Sequence, residues 1–225
     1  MKKHFVTSDL HLGHAKSIEF DKRPFKDVEH MHYKIIENFN KVVPTDGITF
    51  ILGDVGFRDK NATRDVITSL NGTLILILGN HDDGVEAALK LGFHAAIYGA
   101  VIYIQGHRVT MSHCPLKGVY REPTDHFHNE SRRGWNWHGE DKNHRFTFAD
   151  EGQFHLHGHI HSSKHTEHLE VGKRMVHLGR QLDIGLPAHN YRPVPMGYVE
   201  SWIMKTVRAE ESNNQKVGSP SDQTE

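Results

Sequence analysis

Residues 48–54 read ITFILGD, a strongly apolar run that ends abruptly at Gly53. A short run of this kind, bounded by a glycine, is typical of a parallel strand that is buried on both faces. The same arrangement returns in TLILILGNHD, residues 73–82, where the run ends at Gly79. HFVTS, residues 4–8, is a shorter strand-like run near the start of the chain. These stretches predict neighbouring strands of one parallel sheet.

The segments between and after these runs have helical periodicity. Residues 27–43 repeat apolar side chains every three or four positions, and Asp27 is placed to cap the helix at its N-terminus. Two further helices are predicted at residues 59–70 and 83–92, the second ending at Gly92. The alternation of strand and helix predicts an α/β fold with helical crossovers.

The pattern changes in the second half of the chain. Closely spaced strand-like runs with turn signals between them predict hairpins in a second sheet. Residues 115–150 are polar and rich in His, Arg and Trp, and we expect an inserted, lid-like segment because long irregular connections are commonly functional. A C-terminal helix is expected before a disordered polar tail at residues 209–225. The expected organisation is a single domain, residues 1–208, followed by that tail.

The composition of the 225-residue chain is balanced except for its histidines. There are 27 Lys and Arg against 28 Asp and Glu, which favours neither general nucleic-acid binding nor a basic partner. The 21 histidines are unusual and require an explanation. The single cysteine, Cys114, excludes an internal disulfide framework. Because no signal peptide or membrane-spanning run is recognisable, we expect a cytoplasmic protein with no membrane partner.

Oxygen and imidazole side chains follow the ends of the predicted strands. In open α/β sheets, ligands bind at the carboxyl ends of strands, so we expect these side chains to converge at one edge. The set comprises Asp9, His11, Asp54, Asn80, His81, Asp82, His113, His159 and His161. Asp9 and His11 are two positions apart, as are His159 and His161. In an extended chain both side chains of such a pair project to the same side.

These side chains are of the chemical types that bind metal ions in proteins. Carboxylate, amide and imidazole ligands suit Mn²⁺, Fe or catalytic Zn²⁺ better than structural zinc, which favours thiolates. The set is too large for one ion, and a carboxylate such as Asp54 can bridge two ions about 3.5–4 Å apart. Turn-forming Asp and Asn with scattered histidines remain the plainer interpretation of each residue taken singly.

The motifs SDLHLGH, LGDVGF, LGNHDD, MSHCP and LHGHIH occur in the order of the five motifs of the calcineurin-like metallophosphoesterase superfamily. The chain resembles this superfamily from about residue 4 to residue 162. It is most similar to small single-domain phosphoesterases of bacteria and their phages. The resemblance implies a four-layer α/β/β/α sandwich with two central mixed sheets.

The resemblance also implies roles for individual residues. Asp9, His11 and His161 match the ligands of a first metal ion, and Asn80, His113 and His159 match those of a second. Asp54 matches the shared ligand, and His81 matches the histidine that stabilises the phosphoryl group or protonates the leaving oxygen. The implied cofactor is a pair of divalent ions, Mn²⁺ first, with Fe, Zn²⁺, Ni²⁺ or Mg²⁺ as alternatives. The implied mechanism is in-line attack on phosphorus by a metal-bridging hydroxide.

Three further residues are candidates for substrate contacts. His14 is either such a contact or a solvated loop residue. Arg23 is either a phosphate clamp or part of a surface ion pair. Asp82 either orients His81, because Phe57 stands where some relatives carry an aspartate, or caps the following helix.

The expected function is hydrolysis of a phosphodiester, on a small or cyclic nucleotide-type substrate. A phosphomonoesterase is the first alternative, and a nuclease is a weaker one because no basic groove is evident. A non-catalytic scaffold would show gaps in the ligand set, which this sequence does not. A metal-sequestering protein would bind many ions weakly. The sequence indicates no protein partner.

Overall fold

The computed structural model describes residues 3–56, 58–116, 146–162 and 177–217. Within these ranges the protein is an α/β structure with two five-stranded mixed sheets and five α-helices. Most of the predicted lid-like segment, residues 117–145, lies outside the described residues, as does Phe57. Among the helices described, none is long and apolar enough to cross a membrane.

The first sheet contains the strands predicted from the opening of the chain. Its strand order is β10-β1-β2-β3-β4, and β1 to β4 are parallel. The strands are β1 (His4–Thr7), β2 (Ile48–Leu52), β3 (Thr73–Ile77), β4 (Ala95–Ile97) and β10 (Val194–Pro195). The parallel order confirms the predicted crossovers. The strand at Ala95–Ile97 was expected in the second sheet, but it extends the first sheet beside β3.

The second sheet has the order β5-β6-β7-β9-β8. Its strands are β5 (Ala100–Ile104), β6 (His107–Met111), β7 (Phe154–His157), β8 (His177–Leu178) and β9 (Gln181–Asp183). β5 and β6 form the predicted antiparallel hairpin, whereas β6, β7 and β9 are parallel. The parallel register places the carboxyl ends of β6 and β7 side by side.

The helices follow the strands of the first sheet. They are α1 (Ala15–Phe20), α2 (Val28–Val42), α3 (Lys60–Thr68), α4 (Val85–Lys90) and α5 (Met196–Val217), with a 3-10 turn at Leu186–His189. The Asp27 side chain accepts a hydrogen bond from the His30 amide, which confirms the predicted cap of α2. Helix α5 continues to Val217, so the prediction of disorder from residue 209 was wrong for its first nine residues. Arg180 pairs with Glu210 on this last part of the helix.

Two apolar clusters hold the layers together. In the first, Phe5 and Ile51 of the first sheet pack with Met31 and Phe39 of α2. In the second, residues of both sheets meet α5, which contributes Val199, Trp202 and Ile203. Because both sheets share this second cluster, their strand ends are fixed relative to one another.

Candidate metal centre

The predicted ligands come together at the carboxyl ends of strands from both sheets. They form two groups, in each of which the potential ligand atoms lie within 4.8 Å of one another. The first group is Asp9, His11, Asp54 and His161, and the second is His113, Cys114 and His159. Six of the seven ligands expected from the sequence therefore lie in these groups, and Cys114 is an addition.

The Asp54 carboxylate lies between the two groups. Its Oδ2 is 3.6 Å from His11 Nε2, and its Oδ1 is 3.3 Å from His113 Nε2. Each oxygen therefore faces a different group. This is the arrangement that a ligand shared by two ions requires.

The spacing of donor atoms in the first group differs from that of metal ligands by about 0.4 Å or less. The Nε2 atoms of His11 and His161 are 2.8 Å apart, and Asp9 Oδ1 lies 3.5 Å from His161 Nε2 and 3.8 Å from His11 Nε2. Ligand atoms bound at about 2.1 Å from one ion are roughly 3.0–3.4 Å apart in octahedral or tetrahedral geometry. The donors therefore surround a volume of the right size for a divalent ion.

The second group has the same character. His113 Nε2 and His159 Nδ1 are 3.0 Å apart, and His113 Nδ1 is 2.7 Å from the Leu52 carbonyl oxygen. In a neutral histidine whose Nδ1 donates to a carbonyl, the lone pair that can bind a metal ion is on Nε2. The Asn80 Oδ1 atom is buried, and none of the described residues hydrogen-bonds to it. A buried oxygen without a hydrogen-bond partner is uncommon, and an amide oxygen of this kind is suited to bind a cation.

The backbone is unusual at five of these ligands. Non-glycine residues with positive φ are uncommon and cost energy unless the surrounding structure holds them. The ligands concerned are Asp9 (φ 59°), His11 (φ 49°), Asp54 (φ 54°), His159 (φ 69°) and His161 (φ 48°). The fold maintains this strain at the point where the donor atoms converge, which is typical of functional sites.

Gly79 and Gly158, which directly precede the predicted ligands Asn80 and His159, stand at positions that leave no room for a side chain. A Cβ atom on Gly79 would lie 2.6 Å from Asp54 Oδ1, and one on Gly158 would lie 2.3 Å from Asp9 Oδ2. These distances are too short for any side chain. The glycines therefore allow the two carboxylates to be packed tightly against neighbouring loops.

Two histidines of the site are held protonated by the carboxylates. Burial opposes the charge on His113, but Asp54 raises its pKa to about 9. Burial likewise opposes the charge on His161, but Asp21 and Asp9 raise its pKa well above the usual value. The carboxyl of Asp54 is held well below its usual pKa, chiefly by His113, although burial acts in the opposite direction. In the metal-free protein, imidazolium–carboxylate pairs therefore balance the charges.

The other two histidines of the site are neutral. Burial and the charge of His161 lower the pKa of His11 to about 3. Burial and the charge of His113 lower the pKa of His159 to about 3. A neutral imidazole is the form that binds metals, so these two rings need lose no proton.

His81 and His14 lie beside the first group. His81 is exposed, its ring centroid is 6.5 Å from that of His11, and its amide donates to Asp54 Oδ1 at 3.2 Å. The His14 ring is 5.7 Å from that of His11, and burial followed by the Arg23 charge lowers its pKa.

Arg23 does not occupy the position of a phosphate clamp. Its guanidinium is fully buried, and it donates to the backbone oxygens of Asp9 and Leu10 at 3.1 and 3.0 Å. It also contacts the Asp21 carboxylate at 3.1 Å. Because the guanidinium is buried against the loop that carries Asp9, Arg23 is placed neither as a phosphate clamp nor in a surface ion pair.

Asp82 has a structural role that differs from both predictions. Its carboxylate accepts hydrogen bonds from the amides of Asp54, Val55 and Gly79, at 2.8–3.1 Å. It thus joins the loops after β2 and β3. The N-cap of α4 is Gly84, so the capping interpretation was wrong. The described contacts of Asp82 include none with the His81 ring.

Sequence reasoning missed two carboxylates behind the site. Asp21 Oδ1 is 3.1 Å from His161 Nδ1. Asp183 accepts hydrogen bonds from the amide and hydroxyl of Ser162, directly after His161, and burial raises its pKa to about 6. Asp183 lies outside the quoted motifs, whereas Asp21 belongs to FDKRPF, residues 20–25, a stretch that is also typical of the small single-domain phosphoesterases that the chain resembles.

Comparisons with known proteins agree with this fold. No model of a known protein family matches the chain. The chain is 26% identical over 207 residues to an uncharacterized protein of Methanocaldococcus jannaschii, covering 91% of this chain and 93% of that protein. It is 28% identical over 193 residues to the Gene 66 protein of Mycobacterium phage L5, covering 80% and 86% of the two chains.

The solved structure of a protein of unknown function from Aquifex aeolicus matches with a TM-score of 0.60 and 23% identity, over 90% of this chain and all of that one. The chain therefore shares an α/β fold of nearly its full length with this solved structure.

Proposed function

We propose that the protein is a phosphoester hydrolase that uses two divalent metal ions, of the calcineurin-like metallophosphoesterase superfamily. The observation that carries this proposal is the position of Asp54, with one carboxylate oxygen facing each donor group. The two mixed sheets with their helices support the four-layer α/β/β/α sandwich of that superfamily.

The residues present fit a metal pair. One ion would be held by Asp9, His11 and His161, and the other by His113, His159 and Asn80. Asp54 would bind both ions. The pair would supply Lewis-acid chemistry, lowering the pKa of water and neutralising charge on the phosphorus oxygens. Mn²⁺ suits this set, with Fe, Zn²⁺, Ni²⁺ or Mg²⁺ as alternatives, and the Cys114 sulfur would favour a softer ion in the second group.

His81 is the residue of this chain placed to handle a proton. Its ring is exposed at the rim of the first group, while its amide fixes the loop against Asp54. From that position an imidazole can donate a proton to the departing oxygen. His14, whose ring centroid is 5.7 Å from that of His11, would contact the phosphoryl oxygens or the leaving group.

We propose a phosphodiester as substrate, with a small or cyclic nucleotide as the first choice. The alternative is a phosphomonoester. A non-catalytic scaffold is disfavoured because six of the seven predicted ligands lie in the two donor groups and Asn80, the seventh, has a buried side-chain oxygen to which no described residue hydrogen-bonds. Relative kcat/KM values on matched aryl monoesters and diesters distinguish the two enzymatic alternatives.

The purified protein with Mn²⁺ is expected to hydrolyse bis(p-nitrophenyl) phosphate or p-nitrophenyl phosphate. A chelator should abolish this activity, and Mn²⁺ in excess of the chelator should restore it. Activity that survives complete chelation, confirmed by metal analysis of the same sample, would contradict the proposal.

Metal binding is expected to release protons. His113, with a pKa of about 9, and His161, with a raised pKa, are both protonated at pH 7, but metal ligands must be neutral imidazoles. Occupancy of both groups should therefore release about two protons, and affinity should rise with pH up to about 9. Calorimetric titration at pH 7 in buffers of different ionisation enthalpy measures this number. Identical heats in all buffers would refute the charge pairing described above.

A further inference from the structure

A carboxylate and a guanidinium lie behind the first donor group, outside the residues so far given a role in binding. Asp21 follows α1, and its side chain is 10% exposed. Its Oδ1 is 3.1 Å from His161 Nδ1, and its Oδ2 is 3.1 Å from both Nε and Nη2 of Arg23. Each oxygen of Asp21 therefore has a different, charged or chargeable partner.

The contact with His161 determines which ring nitrogen faces the donor group. Nδ1 faces Asp21, so Nε2 faces His11 and Asp9 at 2.8 and 3.5 Å. A carboxylate that accepts a hydrogen bond from one ring nitrogen fixes the tautomer and the orientation of the ring. It also makes the other nitrogen a stronger metal ligand. The His161 side chain is 25% exposed, so packing alone constrains it less than it does the buried His113.

Arg23 connects this contact to the loop that carries two other members of the first donor group, Asp9 and His11. The same guanidinium that holds Asp21 donates to the backbone oxygens of Asp9 and Leu10. It thereby ties the loop that carries Asp9 and His11 to the residue that orients His161, which is 140 positions further along the chain. A buried cation with three such partners is well compensated, so the pair is a rigid unit.

We propose that Asp21 and Arg23 are a positioning pair that orients the His161 imidazole and sets the affinity of the first donor group for its ion. The inference rests on the proposed function, because it assumes that this group holds a metal. It assigns Arg23 to metal-site assembly. Asp21 acts through His161 and does not touch substrate.

The test is Asp21→Asn, which keeps the size of the side chain and an acceptor oxygen but removes its charge. Mn²⁺ titrations are monitored by calorimetry and by electron paramagnetic resonance. They should show that one of the two ions binds about 10- to 100-fold more weakly, while the affinity for the other is unchanged. Asp27→Asn, at the cap of α2, is the matched control, and it should bind both ions as the unaltered protein does. Unfolding of the metal-free variants shows whether stability changed as well.

The outcomes separate the two claims. If the unaltered protein binds no tight ions, the proposed function fails. If it binds two, and Asp21→Asn binds both equally well, the positioning pair is overturned. Should Asp21→Asn not fold, long-range ¹H–¹⁵N spectra of the unaltered, Zn²⁺-loaded protein decide. The proposal expects a His161 Hδ1 proton that is shifted downfield and protected from solvent exchange by its hydrogen bond to Asp21, and a rapidly exchanging Hδ1 would overturn it.

Discussion

Asp54→Asn is expected to reduce kcat/KM for a phosphodiester by about a thousandfold or more, corresponding to several kcal/mol of transition-state stabilisation. The physical reason is that both carboxylate oxygens are used, one toward His11 and the other toward His113. An asparagine offers one oxygen and no charge. It also leaves the protonated His113 without the anion that stabilises it. The measurement is a steady-state assay alongside metal analysis of the same sample.

Asp59→Asn is the matched control for this change. Asp59 also follows β2, but its side chain caps α3 by accepting from the Ala62 amide, a role that asparagine fills equally well. The control should retain two ions and full activity. If Asp54→Asn retained two bound ions and full activity, Asp54 would not be a ligand shared by the two ions.

His81→Ala is expected to lower kcat by about 100- to 10,000-fold while leaving the affinity for both ions unchanged. His81 contributes its amide to Asp54, which alanine preserves, and its exposed ring is lost. If the ring donates a proton to the leaving oxygen, the loss depends on the leaving group. It should be large for an alkyl ester, whose departing oxygen needs a proton, and small for a p-nitrophenyl ester, which departs readily without one.

His94→Ala is a suitable control because His94 is also exposed but lies at the amino end of the first sheet, where its Nδ1 accepts from the Leu74 amide. The carboxyl end of the same sheet carries the donor groups. This control should show no dependence on leaving group. An equal loss on both esters for His81→Ala would assign the ring to phosphoryl binding and not to proton transfer.

The framework of the fold was predictable because local and global preferences agree. The run at residues 48–52 is a central parallel strand, and Asp27 caps α2 where the apolar spacing begins. Strand ends in α/β sheets meet at one edge, so residues from distant motifs could be expected to meet there. The single domain of residues 1–208 stays a prediction.

The remainder depends on tertiary contacts that no local pattern encodes. An arginine such as Arg23 has the same local appearance whether it faces solvent or, as here, is enclosed beneath the Asp9 loop. Asp82 resembles a helix cap in sequence, yet it accepts from amides on two separate loops. The polar residues after 208 resemble a tail, but α5 continues through residues 209–217, and Glu210 pairs with Arg180.

The central claim is that two neighbouring cations are held by side chains from five separate motifs. Electron paramagnetic resonance during Mn²⁺ titration of the intact protein tests it most directly. The account predicts two tightly bound ions per chain and the spectrum of a magnetically coupled pair, about 3.5–4 Å apart. A spectrum of isolated ions at every stoichiometry, or many weak sites distributed among the histidines, would contradict it.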